Sequence, residues 1–262
     1  MLKRLSDLII VLIALIGMSA LFYLLLIMPT QWLKIERVAH PIGLGKRFLQ
    51  ISDLHVDMLR IGPDKMEAVV RAEKPDYIVL TGDYTYRREY LPRLALYLKA
   101  ITAVGVPVYA VLGNHDYQQP RPREMLTLFR EQGIAILRNG SVSLPEFTLI
   151  GIDNYSTGHS RISEAFLNIE RSKPAIVITH DPNVVLKINQ NYDYLMAGHF
   201  HGKQFNIPFF FKLKPKGPLS QRGIYRGLHR SEQGAYYISK GIGQAGVNAR
   251  FMVRSEVTVH EL

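Results

Sequence analysis

Five short stretches of this chain carry side chains that bind metals or move protons. They are Asp53-Leu54-His55, Gly82-Asp83, Gly113-Asn114-His115-Asp116, His180-Asp181 and Gly198-His199-Phe200-His201. Carboxylates, one carboxamide and several imidazoles make a mixed oxygen and nitrogen donor set, of the softness that suits Mn, Fe or Zn. Two such ions side by side would activate a water and clamp a phosphoryl group. The chain has no cysteine, which excludes thiolate ligation and a disulfide framework. Each stretch alone is a weak signal, since Gly-Asp is commonly a turn and a lone His-x-His is often incidental. Together they are not weak. Of nine histidines, five (His55, His115, His180, His199, His201) fall inside them.

Each stretch follows an apolar run, and that placement is what could bring them together. In open α/β sheets, sites form in the crevice beyond the carboxyl ends of the strands. Strands are predicted over 48–52, 77–80, 106–112, 175–179 and 192–197, each ending at one of the five stretches. Helices are predicted over 63–73, 90–104 and 123–132, where apolar residues recur at helical spacing. After Gly133 the runs shorten, with strands predicted over 134–137, 142–144, 147–152, 235–239, 251–254 and 257–261. Alternating strands and helices followed by a strand-rich half argue for two sheets packed between helices. Asp53 and His55 alternate along one strand end, so both can point the same way.

The N-terminus has a different composition. From residue 8 to residue 33 there is no charge, and 8–28 is mostly Leu, Ile, Val and Ala. Twenty-one such residues span a bilayer as a helix. Pro29 is expected to end it, with Trp32 as an interfacial anchor. A cleaved signal peptide is the alternative, but its apolar region is usually shorter and no small-x-small cleavage site follows here. The organisation expected is therefore a membrane anchor over 1–33, a linker over 34–45 and one catalytic domain over 46–262. Lys34, Arg37, Lys46 and Arg47 outnumber Lys3 and Arg4, which by the positive-inside rule puts the domain on the cytoplasmic side of the inner membrane.

The net charge is +10, and seven Lys or Arg with no acid fall between Lys203 and Ser231. Such a balance suits a phosphorylated substrate or an anionic membrane surface. No nucleic-acid motif accompanies it. Within that window, the phenylalanines at 205 and 209–211 stand beside lysines at 212, 214 and 216. An amphiphilic loop over 205–216 would suit the headgroup boundary or an acyl chain, with Arg222, Arg226 or Arg230 meeting phosphates.

The ordered set Asp-x-His, Gly-Asp, Gly-Asn-His-Asp, Thr-His-Asp and Gly-His-x-His resembles the calcineurin-like metallophosphoesterases, from about residue 48 to the C-terminus. Leu-Thr-Gly-Asp-Tyr at 80–84, Tyr-Ala-Val-Leu-Gly-Asn-His-Asp-Tyr at 109–117 and the late Gly-Ile-Gly with Arg250-Phe251 are similar to its membrane-associated phosphodiesterase branch. That branch includes a UDP-2,3-diacylglucosamine diphosphatase of lipid A synthesis. The resemblance implies a four-layer α/β/β/α sandwich behind an N-terminal transmembrane helix. It implies two divalent ions, Mn first with Fe or Zn as alternatives. One ion would lie on Asp53, His55, Asp83 and His201, the other on Asp83, Asn114, His180 and His199. His115 would face the substrate, with Asp116 orienting its ring. Phe200 replaces the threonine common in the last motif and leaves the ligand spacing intact. The substrate expected is a lipid-linked phosphate, most concretely UDP-2,3-diacylglucosamine, giving UMP and 2,3-diacylglucosamine 1-phosphate. A broad-specificity phosphodiesterase or phosphatase acting on soluble or cell-wall phosphates is the alternative.

Overall fold

Period-two alternation sorts the strand residues onto two faces, and each face meets a different layer. A computed structural model of the chain describes residues 2–208 and 215–262. Half of the amphiphilic loop expected over 205–216, with its phenylalanines at 209–211, lies outside the described residues. Strands β1 (Lys34–Ala39), β2 (Arg47–Ile51), β3 (Tyr77–Thr81), β4 (Val108–Val111) and β5 (Ala135–Ile136) build one sheet with the last strand, β12 (Glu256–Glu261). Its order is β1-β12-β2-β3-β4-β5. The second sheet runs β10-β11-β9-β8-β7-β6. It is made of β6 (Gly140–Ser143), β7 (Thr148–Gly151), β8 (Ala175–Ile178), β9 (Tyr194–Ala197), β10 (Gly227–Arg230) and β11 (Ala235–Ile238). The strands β2, β3, β4 and β5 are mutually parallel, as are β7, β8, β9 and β11.

Leu49, Ile51, Ile78 and Leu80 pack under three helices, Pro63–Glu73, Leu91–Thr102 and Pro122–Glu131. Their neighbours Phe48 and Val79 turn the other way and meet Leu149, Ile176, Ile178, Tyr194 and Met196 of the second sheet. Ile150, Val177 and Leu195 then cover the far side, under the short helices at 162–165 and 218–221 and the turn at 182–186. The result is helices, sheet, sheet, helices. A polar seam runs through the inter-sheet core. Gln50 donates to Thr81 Oγ1 (3.0 Å) and the Ala197 carbonyl (2.9 Å), and its own oxygen lies 3.0 Å from His260 Nε2.

Three sequence expectations change. Residues 34–39, read as part of a linker, are β1, paired in parallel with β12 from Lys34↔Glu256 to Ala39↔Glu261. This is a charged edge strand with one bonded side, so it lacks the buried apolar run that marks the central strands. Strand β10, missed as well, is the exposed edge of the second sheet. The strand predicted over 251–254 makes only a single bridge, Phe205 to Phe251. Its flanking N–H groups go instead to the N-terminal helix: Arg250 donates to Leu26 O and Ser255 to Pro29 O, each at 3.0 Å.

That N-terminal helix runs as Leu2–Phe22, a π-helical turn Tyr23–Ile27 and a last turn Met28–Gln31. Pro29 does not end it. Proline is tolerated in the first turn of a helical segment, where its missing N–H is not needed. The stretch 3–31 is long and apolar enough to cross a membrane, and its apolar window is unburied by the rest of the chain.

Candidate metal centre

All five stretches converge beyond the carboxyl ends of β2, β3, β4, β8 and β9. The loops are stitched by backbone bonds: Asp53 N–H to Gly82 O, His55 N–H to Asp83 O and Gly198 N–H to His180 O, each at 3.0 Å. Turning several donors inward at once demands unusual backbone. Asp53, His55, Asp83, His199 and His201 all have positive φ, between 39° and 74°. Non-glycine residues seldom sit there, and such strain gathers at functional sites. Gly113 serves the centre by closeness more than by turning the chain. A Cβ on it would stand 2.2 Å from Asp83 Oδ1.

Two groups of donors form around a shared carboxylate. Asp53, His55, Asp83 and His201 bring ligand atoms within 4.8 Å of one another, and so do Asp83, His180 and His199. His180 Nε2 is 3.2 Å from Asp83 Oδ2, 3.2 Å from Asn114 Oδ1 and 3.1 Å from His199 Nδ1. In the other group, His55 Nε2 is 3.4 Å from Asp83 Oδ2 and His201 Nε2 is 3.4 Å from Asp53 Oδ1.

The tautomers decide what these distances mean. His180 Nδ1 lies 2.7 Å from the carbonyl of Thr81, which can only accept, so Nδ1 carries the proton and Nε2 offers a lone pair. His201 Nδ1 likewise faces the Gly243 carbonyl at 3.2 Å. Its Nε2 and both ring nitrogens of His55 are buried without a hydrogen-bond partner. Acceptors therefore crowd onto acceptors, an arrangement that a cation resolves. The donor set fits divalent ions, and carbonyls fixing the far ring nitrogen are the usual support for a ligating histidine. The ring proton also shows the pull of the site. Without an ion, a second proton on His180 Nε2 would take the cation's place: burial lowers the imidazole, but the Asp83 carboxylate outweighs burial and pushes it up to about 10, so a bound cation replaces this proton. Asp83 in turn is held well below the usual carboxylate range, because His180 and His55 overcome its burial.

His115 stands at the mouth of this cluster, its side chain 24% exposed, with Nε2 4.0 Å from Asp83 Oδ2. Its ring crosses that of His55 edge-on, and Tyr86 stands beside it. The expectation that Asp116 orients the His115 ring is not met. The Asp116 carboxylate accepts the backbone N–H groups of Asp83 (2.8 Å), Tyr84 (2.8 Å) and Gly113 (2.7 Å). Its donors come from two loops, and His115 Nδ1 is left without a partner. Asp116 is thus a positioning residue for Asp83.

Residues 46–203 match the calcineurin-like phosphoesterase family. The metallophosphoesterase YkoQ of Bacillus subtilis is 36% identical over 82% of this chain and 82% of its own length. The chain belongs to the calcineurin-like phosphoesterase family. It is a metal-dependent phosphoester hydrolase. A metallophosphoesterase of Aquifex aeolicus is 27% identical, covering 88% of this chain and 92% of its own. A Danio rerio transmembrane protein with a metallophosphoesterase domain is 27% identical over 82% of this phosphoesterase and 52% of its own length. Among solved structures, TT1561 of Thermus thermophilus superposes with a TM-score of 0.50 at 10% identity, covering 75% of this chain and 90% of that one, and so shares the fold.

Two residues of this phosphoesterase's site escaped the sequence reading. Lys216 donates its Nζ proton to the His199 carbonyl (3.0 Å), and the side chain of Asn183 pins its own carbonyl (2.9 Å). Burial lowers its ammonium, while Asp53, Asp83 and Asp181 pull it back. It was visible only as one of many cations in the basic window. Arg222, Arg226 and Arg230, expected to meet phosphates, are exposed around β10. Arg250 is fully buried and bonds the carbonyls of Lys240 (2.9 Å), Gly241 (2.8 Å) and Gly243 (2.6 Å). Gly243 O is the acceptor that fixes His201, and Gly243 N–H reaches Asp53 O (2.8 Å). Arginine next to Phe251 was the available signal, and it carries no ligand chemistry of its own.

Proposed function

We propose that this chain is a membrane-anchored hydrolase of phosphoester or pyrophosphate bonds in lipid-linked substrates. The observation that carries the chemistry is the acceptor crowd around Asp83, which links the two donor groups. Asp53, His55, Asp83 and His201 would hold one divalent ion. Asp83, Asn114, His180 and His199 would hold the other, Mn first with Fe or Zn as alternatives. Such a pair supplies a water-derived nucleophile at neutral pH and neutralises charge on the phosphoryl oxygens. His115, at the open side of the cluster, faces the leaving oxygen and donates a proton or a hydrogen bond to it. Lys216 adds positive charge beside the second group of ligands, where phosphoryl oxygens would arrive.

The lipid part of the reading rests on the N-terminal helix, which is apolar enough to span a membrane and is joined to the domain without a slack linker. UDP-2,3-diacylglucosamine is the most concrete substrate, with the domain on the cytoplasmic side of the inner membrane. The test is a substrate panel with the full chain in detergent and Mn²⁺. It would include that lipid, other lipid phosphates and pyrophosphates, and a small chromogenic diester. Preference for lipid substrates supports the reading. Equal turnover of the soluble diester would move the assignment to a broad-specificity phosphodiesterase. Release of UMP decides the specific lipid.

A further inference from the structure

The C-terminal segment is clamped to the last turns of the N-terminal helix. Beyond the bonds from Arg250 to Leu26 and Ser255 to Pro29, the Arg254 guanidinium donates to Trp32 O (3.1 Å) and Leu33 O (3.0 Å). It also lies 3.7 Å over the Trp32 ring. This clamp sets a depth. At 1.5 Å per residue the apolar stretch 8–28 covers about 31 Å, the thickness of a bilayer's hydrocarbon core. Leu26 stands about 3 Å from the end of that stretch. A segment bonded to Leu26 therefore stands at the hydrocarbon boundary as well. Phe251 agrees with this: it faces Met18, Leu21, Phe22, Leu25 and Leu26 across an apolar notch of about 280 Å³.

Around this level, large apolar side chains point outward. Met252 is 68% exposed and held at a positive φ of 54°. Val247 is 59% exposed. Ile207, 42% exposed, follows Asn206, whose N–H is bonded to Phe251 O (3.0 Å). Cations flank them: Arg60 donates to Asn248 O (3.2 Å), Lys203 lies 4.4 Å over the Tyr225 ring and Arg254 lies on Trp32. Exposed apolar residues with a cationic margin are the composition of a surface that sits in an anionic headgroup region.

We propose that Ile207, Val247 and Met252 form a second membrane contact, seated in the headgroup boundary of an anionic bilayer beside the anchor. This rests on the reading of the N-terminal helix as a membrane span. It also deepens the substrate assignment. Phe205 is bridged to Phe251 and lies four positions after His201, a span of at most about 14 Å. The donor cluster is thereby tethered near that boundary. Phosphates carried by lipids in the same leaflet come within its reach without leaving the membrane.

The cysteine-free chain makes the test direct. Single variants Val247→Cys and Met252→Cys are labelled with an environment-sensitive fluorophore in nanodiscs containing anionic lipid. Leu12→Cys, inside the span, and Leu167→Cys, exposed on the outer helix layer, serve as controls. The expected result is a blue-shifted emission at 247 and 252, with quenching by nitroxide lipids at least about threefold stronger than at 167. Lipid quenching at 12 with only aqueous quenching at 247 and 252 would overturn the second contact and leave the span standing. Absence of lipid quenching at 12 would overturn the span itself, and the second contact with it.

Discussion

The carboxylate of Asp116 holds the backbone of Asp83, not the ring of His115. Its three N–H donors belong to Asp83, Tyr84 and Gly113, so one buried side chain fixes the two loops that carry the shared ligand and Asn114. Asp116→Ala leaves three buried donors unpaired, and each such loss costs about 1–3 kcal/mol. We expect a clear loss of unfolding free energy together with loss of bound metal. Asp116→Asn should rescue little, because its amide N–H₂ would face a backbone N–H. His115→Ala should behave oppositely, keeping stability and both ions while turnover falls by at least about 100-fold. Denaturant unfolding and metal analysis on the two variants separate these roles. A stable, metal-replete Asp116→Ala with low activity would return Asp116 to a direct role at His115.

Sharing of Asp83 predicts an unequal response to removal of single ligands. Asp83→Ala should empty both positions, since its carboxylate serves both donor groups. His201→Ala should weaken one ion and His199→Ala the other, each leaving about half the metal on the chain. Metal-to-protein ratios measured after dialysis at limiting Mn²⁺ give the result. Equal losses for all three variants would mean that the groups do not bind separately.

Lys216 is expected to act on the substrate and not on the ions. Its Nζ reaches a backbone carbonyl next to the ligands and touches no ligand side-chain atom. Lys216→Met keeps the aliphatic stem and removes the charge. The outcome expected is unchanged metal content with KM raised by about tenfold or more for a phosphorylated lipid. A fall in kcat alone, with KM unchanged, would place Lys216 in the chemical step.

His260 gives the fold an acid-sensitive point outside the donor cluster. It lies between the sheets, bonded to Tyr194 Oη (2.9 Å) and Gln50 Oε1 (3.0 Å), and burial pushes its imidazole down to about 3. In the unfolded chain it titrates near 6.5. Between those values the unfolded chain binds a proton that the folded chain refuses. Stability should therefore fall as pH drops from about 6.5 toward 3, by up to about 1.4 kcal/mol per pH unit. His260→Gln removes that slope, whatever it does to stability at neutral pH. Unfolding free energies measured between pH 7 and pH 4 should show the flatter acid limb, and parallel limbs for the two proteins would remove His260 as its source.

The centre was legible in the sequence because its ligands sit where buried strands stop. Runs such as 77–80 and 175–179 announce a strand by composition, and the polar residues after them can only collect in the crevice beyond. The edges were not legible. β1 and β10 bond on one side and expose charge on the other, which leaves them without a distinctive pattern. Asp116 was misread for a different reason. Adjacency in the chain suggested a partner for His115, while the three donors that satisfy its carboxylate come from backbone atoms, which no side-chain pattern records. Arg250 and Lys216 likewise act through carbonyl oxygens.

The positive φ angles at the centre limit which amino acids could ever have built it. Five of the seven donor positions ask for a residue that accepts left-handed backbone: Asp53, His55, Asp83, His199 and His201. Aspartate and histidine are among the few non-glycine residues enriched there, whereas β-branched residues are strongly disfavoured. The donors are thus selected twice, once by the ion and once by the turn that presents them. Exchanging His for Asp at these positions would retune the ion while respecting the turn. A β-branched residue would lose both, so the centre can change its metal preference more readily than it can be dismantled and rebuilt.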